Sequence, residues 1–239
     1  MSIVILGNGP SLKSVHDYGF EKFLRLCKDR NIKVLCMNKI LRYFDKEQLN
    51  IYPDYYVASD TLVNIQMYDE ILNHIDKFEH AFISIPYEYE VKDNKAIIKK
   101  RKDLPEQTIP FEKNKKKIQK QINLIKSKSN IINHQNTGFS GVHIASSLKP
   151  KNIYMIGLDE SYQLADDKTI CVSKSDNNNY FTDSYLKNGE YVSNAPKSRI
   201  NDLNNLIHHV QTKCKVYNLS EISNLDGERM SFDKFINQR

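Results

Sequence analysis

Apolar runs recur along the chain at positions 3–6, 33–37, 55–59, 81–85, 153–157 and 215–219, and helical patterns fill several of the gaps between them. Short apolar strands alternating with amphipathic helices predict an α/β fold around a mostly parallel sheet. The helical stripes are legible: Phe20, Phe23, Leu24 and Cys27 form one, positions 62–75 carry another, and Ile200, Leu203, Leu206, Ile207 and Val210 a third. Each predicts a helix that covers a sheet face, so helices are expected on both faces of a Rossmann-like sheet. Two regions break the pattern, about 87–130 and about 161–198, the second rich in Asp, Asn, Ser and Tyr. Long irregular insertions in compact α/β domains are lids or binding loops. The chain therefore reads as a single domain over 1–239 with a basic insertion and a flexible lid, and it shows no internal repeat.

Composition narrows this picture. A chain of 239 residues that is 40% hydrophobic is large enough for one substantial core. No apolar run reaches the ~20 residues of a membrane span, and Met1-Ser2 lead straight into a strand without a signal-peptide pattern, so a cytoplasmic location is the default expectation. Cys27, Cys36, Cys171 and Cys214 form no CxxC pair and are expected as free thiols, with no metal site. The formal charge of +6 is concentrated between Lys92 and Lys128, in Lys99-Lys100-Arg101-Lys102 and again from Lys113 to Lys120. Such a run reads as solvated surface; it carries few interleaved aromatics for base stacking, so nucleic acid is not the expected partner. Peripheral contact with an anionic membrane, or with a polyanionic glycan, stays open.

The chemistry gathers where the strands end, which is where open α/β sheets collect ligands. After the first strand comes Gly7-Asn8-Gly9-Pro10-Ser11-Leu12. Glycines let backbone N–H groups approach a phosphate, Pro10 suits the first turn of a helix, and Ser11 is a capping residue. The turn lacks the lysine of a P-loop and the third glycine of a dinucleotide fingerprint. Further strand ends carry Asn38, Ser59-Asp60 and Gly157-Leu158-Asp159. Asn136-Thr137-Gly138-Phe139-Ser140-Gly141 reads as a second phosphate or carboxylate cradle leading into a helix over 142–148.

The opening turn, the strand ending in Asn38, Ser140-Gly141 and Ile153-Tyr154-Met155-Ile156-Gly157-Leu158-Asp159 together resemble, in order and approximate spacing, the family 42 bacterial sialyltransferases. The resemblance spans about residues 1–220 and extends to a wider superfamily of motility-accessory-factor glycosyltransferases and archaeal 6-hydroxymethylpterin diphosphokinases. There a Pro-Asp…Asp segment like Pro53-Asp54-Tyr55-Tyr56-Val57-Ala58-Ser59-Asp60 recurs. It implies a GT-A-like variant of the Rossmann-like domain and inverting, metal-independent transfer of a nonulosonic (sialic) acid from a CMP-activated donor to a hydroxyl of a surface glycan. On that resemblance Asn8 and Gly9 would approach the donor's phosphate and ribose, with Gly7 and Ser11 in the same turn. Asn38 would bind the phosphate or cytidine side, and Ser59 stands where the family has another donor-binding Asn. Ser140 with Thr137 would hold the donor carboxylate beside Gly141, and Asp159 would sit by the nucleotide.

The chain also departs from that family. Its catalytic His lies in a Tyr-x-x-His context, and the nearest match, Tyr191-Val192-Ser193-Asn194, places Asn194 there; an amide is no general base. For the lid tyrosines the nearest candidates are Tyr162, Tyr180 and Tyr185, and Thr137 replaces an arginine before the Ser-Gly. Candidate bases are His134, His143 and Asp60, with Asp159 beside them, each weighed against a packed histidine or a helix cap. His208 and His209 read as surface or packing. Two other readings remain at this level: a diphosphokinase that uses ATP and Mg²⁺ held by Asp60 and Asp159, and a catalytically silent nucleotide- or glycan-binding module. Many tyrosines on a short chain permit a homo-oligomer.

Overall fold

The computed structural model describes residues 1–84, 87–92, 95–100, 108–111, 137–160, 170–172, 180–187, 190–193 and 198–238. In chain order the strands are β1 (Ser2–Leu6), β2 (Ile32–Met37), β3 (Tyr55–Ala58), β4 (His80–Ser84), β5 (Tyr87–Lys92), β6 (Lys95–Lys100), β7 (Thr108–Phe111), β8 (Asn152–Ile156), β9 (Ile170–Val172), β10 (Tyr191–Ser193), β11 (Lys215–Asn218) and β12 (Glu228–Arg229). The helices are α1 (Lys13–Tyr18), α2 (Phe20–Asp29), α3 (Ile40–Lys46), α4 (Thr61–Gln66), α5 (Tyr68–Leu72), α6 (Thr137–Ser147), α7 (Ser198–Gln211) and α8 (Phe232–Asn237).

Eight strands form one sheet in the order β12-β11-β8-β1-β2-β3-β4-β7, and every neighbouring pair is parallel. From β1 the chain winds outward through β2, β3 and β4, then returns to place β8 on the other side of β1. The winding direction reverses between β1 and β8, and Leu6 lies opposite both Cys36 and Ile156 in the register.

Alternate side chains of each strand feed separate cores, as the period of two requires. Val4, Leu6, Val34, Cys36, Tyr56 and Ile156 pack with α2, α3 and Phe235 of α8 on one face. Ile3, Ile5, Leu35, Met37, Val57 and Met155 pack with α6 and α7 on the other. Helices thus cover both faces, as the stripes predict. Cys27 and Cys36 are buried free thiols, and burial pushes the Cys27 thiol up to about 12.

Differences from the sequence reading are local. The helix expected over 62–75 is split into α4 and α5 with a 3-10 turn at Ile75–Lys77. Helix α6 begins at Thr137, so the Thr137–Gly141 stretch expected as a loop is helical. Its two glycines are weak helix formers, but a Cβ on Gly141 would stand 2.9 Å from Met37 Cε. The missing side chain is what lets α6 lie close on β1 and β2, and packing overrides propensity. Inside the basic insertion β7 extends the main sheet and β5 pairs antiparallel with β6. Pro110 speaks against a strand in sequence, and it is accommodated because β7 is the sheet's edge.

Candidate functional site

At the winding reversal the loops after β1 and β8 are fastened to each other. Gly7 N–H donates to Ile156 O at 2.8 Å and Gly9 N–H to Gly157 O at 2.7 Å. Gly157 has φ +73 and returns its own N–H to Ser11 Oγ at 2.8 Å. Asp159, 2% exposed, completes the joint: Oδ1 accepts from Ser11 Oγ and Ser220 Oγ, both at 2.6 Å, and Oδ2 accepts from the Ser11 backbone N–H at 2.8 Å. The amide hydrogens of Gly7 and Gly9 are therefore spent on protein carbonyls, and Asp159 is spent on two serines.

On the other side of β1, polar side chains follow the ends of the neighbouring strands β2 and β3. Asn8 is buried and its Nδ2 donates to Met37 O at 2.9 Å, which fixes the amide's orientation and turns Oδ1 away from the strand. Asn38 follows β2 in the left-handed region, φ +54, where Asn is tolerated better than most residues. Its backbone is held from both sides: its N–H donates to Val57 O at 3.0 Å, and its carbonyl accepts from Tyr56 Oη at 2.9 Å. Asn8 Oδ1 and Asn38 Oδ1 are both buried and neither has a hydrogen-bond partner among the described residues. At the next strand end, fully buried Ser59 donates to Thr137 Oγ1 at 3.0 Å and so ties the end of β3 to the N-terminus of α6. Ser140 and His143 are buried farther along that helix, His143 beside Phe139, whereas Asp60 is half-buried after Ser59. Gly141 faces the sheet beneath. Thus Asn8, Asn38, Ser59 and Thr137 gather along neighbouring strand ends, and Gly7, Ser11 and Asp159 brace the loop that carries Asn8. His134, Tyr162 and Asn194 lie outside the described residues.

A cluster of charges, absent from the sequence reading, lies immediately behind Asn38. Lys39 is 2% and Arg42 6% exposed. Arg42 Nε donates to Glu70 Oε2 at 2.7 Å, while Nη1 and Nη2 donate to the two Glu190 oxygens at 2.7 and 2.6 Å. Lys39 Nζ donates to Glu190 Oε2 at 2.7 Å and to Gln66 Oε1 at 2.8 Å. Burial pushes the Glu190 carboxyl up, but hydrogen bonds from Arg42 and Lys39 outweigh it and hold the group down to about 2. Burial lowers Lys39, with Glu190 opposing. A carboxylate held so strongly ionised and so fully occupied does not serve as a general base near neutral pH. The signal in the sequence was Arg42 within Ile40-Leu41-Arg42-Tyr43-Phe44: every one of these side chains is buried, so the cation among them requires a buried partner.

The same cluster holds part of the region read as a lid. Arg42 Nη1 also donates to Tyr185 O at 3.2 Å, Phe181 N–H donates to Asn8 O at 3.1 Å, and the Tyr180 and Tyr185 rings stack with centroids 3.8 Å apart. Among the described residues no helix is long and apolar enough to cross a membrane.

No family model and no curated protein matches the chain. Among solved structures there is a likeness of fold. The chain folds like an MAf glycosyltransferase from Magnetospirillum magneticum AMB-1. The two superpose with a TM-score of 0.52 at 13% identity, over 100% of this chain and 34% of the other, so this chain spans about a third of that neighbour's length. At that identity the likeness concerns the α/β fold and its parallel sheet.

Proposed function

We propose that the chain is a glycosyltransferase that binds a nucleotide-activated sugar, a CMP-nonulosonate, across the ends of β1, β2 and β3. The observation that carries this reading is the pair of buried amide oxygens at adjacent strand ends, Asn8 Oδ1 and Asn38 Oδ1, which have no partner among the described residues. A buried acceptor left unmet costs about 1–3 kcal/mol, so two at one crevice call for a ligand that donates hydrogen bonds. Ribose hydroxyls and the cytosine amine donate; an ionised phosphate only accepts. The nucleoside thus belongs over Asn8 and Asn38. The donor's phosphate and carboxylate belong toward Thr137 and Ser140, where α6 presents its positive end. Fold likeness to a glycosyltransferase supports the reaction class, and the ordered resemblance at the strand ends supports the CMP donor.

In the transfer, an acceptor hydroxyl attacks the donor's anomeric carbon, the bond to the phosphate oxygen breaks, and CMP departs with the electron pair. The hydroxyl proton needs a base. Of the candidates among the described residues, half-buried Asp60 stands closest to solvent, whereas His143 is 3% exposed. The diphosphokinase reading is weaker, since Asp159 would have to leave Ser11 and Ser220 to hold Mg²⁺.

A thermal-shift screen of CMP, UDP, GDP and ATP, each with and without Mg²⁺, tests the reading. CMP at about 100 times its Kd contributes ~2.7 kcal/mol, and is expected to raise Tm by roughly 5–10 °C with or without Mg²⁺. A response to ATP alone that requires Mg²⁺ would assign the site to phosphoryl transfer instead.

A further inference from the structure

The charges behind Asn38 do more than neutralise one another. Lys39, Arg42 and Lys187 face Glu70 and Glu190, and Lys187 Nζ donates to Glu70 Oε1 at 2.7 Å. Helix α3 supplies Arg42 and α5 supplies Glu70, both fixed in the core, while Lys187 and Glu190 come from the stretch that also contains Phe181. Among the described residues only Glu190 meets both buried cations, and its Oε2 additionally accepts from the Lys187 backbone N–H at 3.1 Å. At the other end of the stretch, Phe181 gives its N–H to the Asn8 carbonyl and sets its ring edge-on to Tyr43, centroids 4.9 Å apart. Phe181 is thereby fastened to Asn8, and Glu190 to Lys39 and to Arg42 of the helix that follows Asn38.

We propose that Glu190 is a positioning residue of the donor site: by clamping Lys39 and Arg42 it holds the Phe181–Glu190 stretch against the Asn8 turn, and so keeps water from a bound activated sugar. This rests on the donor-site reading above. A strap of this kind acts by excluding water and fixing substrate, so its loss raises KM and lets hydrolysis compete with transfer. The anchor is ionic, and Glu190 carries the larger part of it, beside the Lys187–Glu70 pair and the bond from Arg42 to the Tyr185 carbonyl.

Hydrogen exchange on wild type, Glu190→Gln and Glu190→Asp reads the clamp without any ligand. In Glu190→Gln the Phe181 amide is expected to exchange at least about tenfold faster while the amides of Val4, Ile5 and Leu6 keep their protection, because only the local opening is affected. Glu190→Asp keeps the charge and is expected to regain part of the protection. With a CMP-sugar donor, Glu190→Gln is expected to raise KM by roughly tenfold and to shift the ratio of donor hydrolysis to transfer upward by at least about threefold. Unchanged Phe181 exchange overturns the clamp, as does equal acceleration throughout β1, which marks a general loss of stability. Faster Phe181 exchange in a protein whose wild type takes no CMP would overturn the donor-site role while leaving the anchoring in place, which separates this failure from that of the donor-site reading.

Discussion

Gly7→Ala is expected to cost more than about 3 kcal/mol, a large fraction of the roughly 5–15 kcal/mol that a domain possesses. A Cβ at this position would overlap the carbonyl of Gly157 and stand 2.8 Å from Leu158 Cδ2. Backbone is the obstacle, and backbone here does not yield: Gly157 is in the left-handed region, and a Cβ built on it would in turn meet Gly7 C at 2.9 Å and Gly7 Cα at 3.2 Å. Separating the two loops would break the bonds from Gly7 to Ile156 and from Gly9 to Gly157 in the middle of the sheet. Urea denaturation of the purified variant checks this, with failure to recover folded protein as the extreme of the same outcome. A wild-type midpoint would mean that the loops are not joined as described.

Arg42→Met is expected to be as severe, at about 3–5 kcal/mol, because it takes the shared guanidinium from two partly buried carboxylates at once and leaves Glu190 to Lys39 and Glu70 to the exposed Lys187. Glu70 and Glu190 receive four hydrogen bonds from this guanidinium. Methionine matches much of the stem's volume, so the loss is electrostatic in origin and not a cavity. Neutralising both acids in the background of Arg42→Met, with Glu70→Gln and Glu190→Gln, is expected to restore part of the midpoint in the same denaturation assay. If the triple variant is no more stable than the single one, the side chain matters through packing and the ionic account of Arg42 fails.

What was legible in the sequence follows from which physical signal each residue carries alone. The strands that build the sheet's centre announce themselves because both faces are buried and their side chains are apolar throughout, as in Ile3-Val4-Ile5-Leu6. The polar residues after them were equally visible, and the structure brings Asn8, Asn38, Ser59 and Thr137 to neighbouring strand ends. The role of the glycines was not visible: Gly7 and Gly9 read as a phosphate turn and Gly157 as part of another strand end, yet their small size is used to press two loops together. Gly141 read as part of a loop, yet it is the contact surface of α6. In both cases the deciding neighbour is more than 100 positions away in the chain and leaves no local trace. Glu190 was hidden for the same reason, since it is one carboxylate in a polar stretch until α3 supplies its cations.

Asn38→Gly combined with calorimetric titration of CMP tests whether the ends of β1, β2 and β3 hold the donor. Glycine adopts φ +54 without strain, so the turn after β2 and its bonds to Val57 and Tyr56 are kept while the side-chain amide is removed. Wild type is expected to bind CMP without added metal, and Asn38→Gly is expected to keep its unfolding midpoint but to bind CMP at least about tenfold more weakly, the ~1.4 kcal/mol of one lost hydrogen bond. Wild type that takes up no CMP, or a glycine variant that binds it equally well, would contradict the assignment of these strand ends as the donor site.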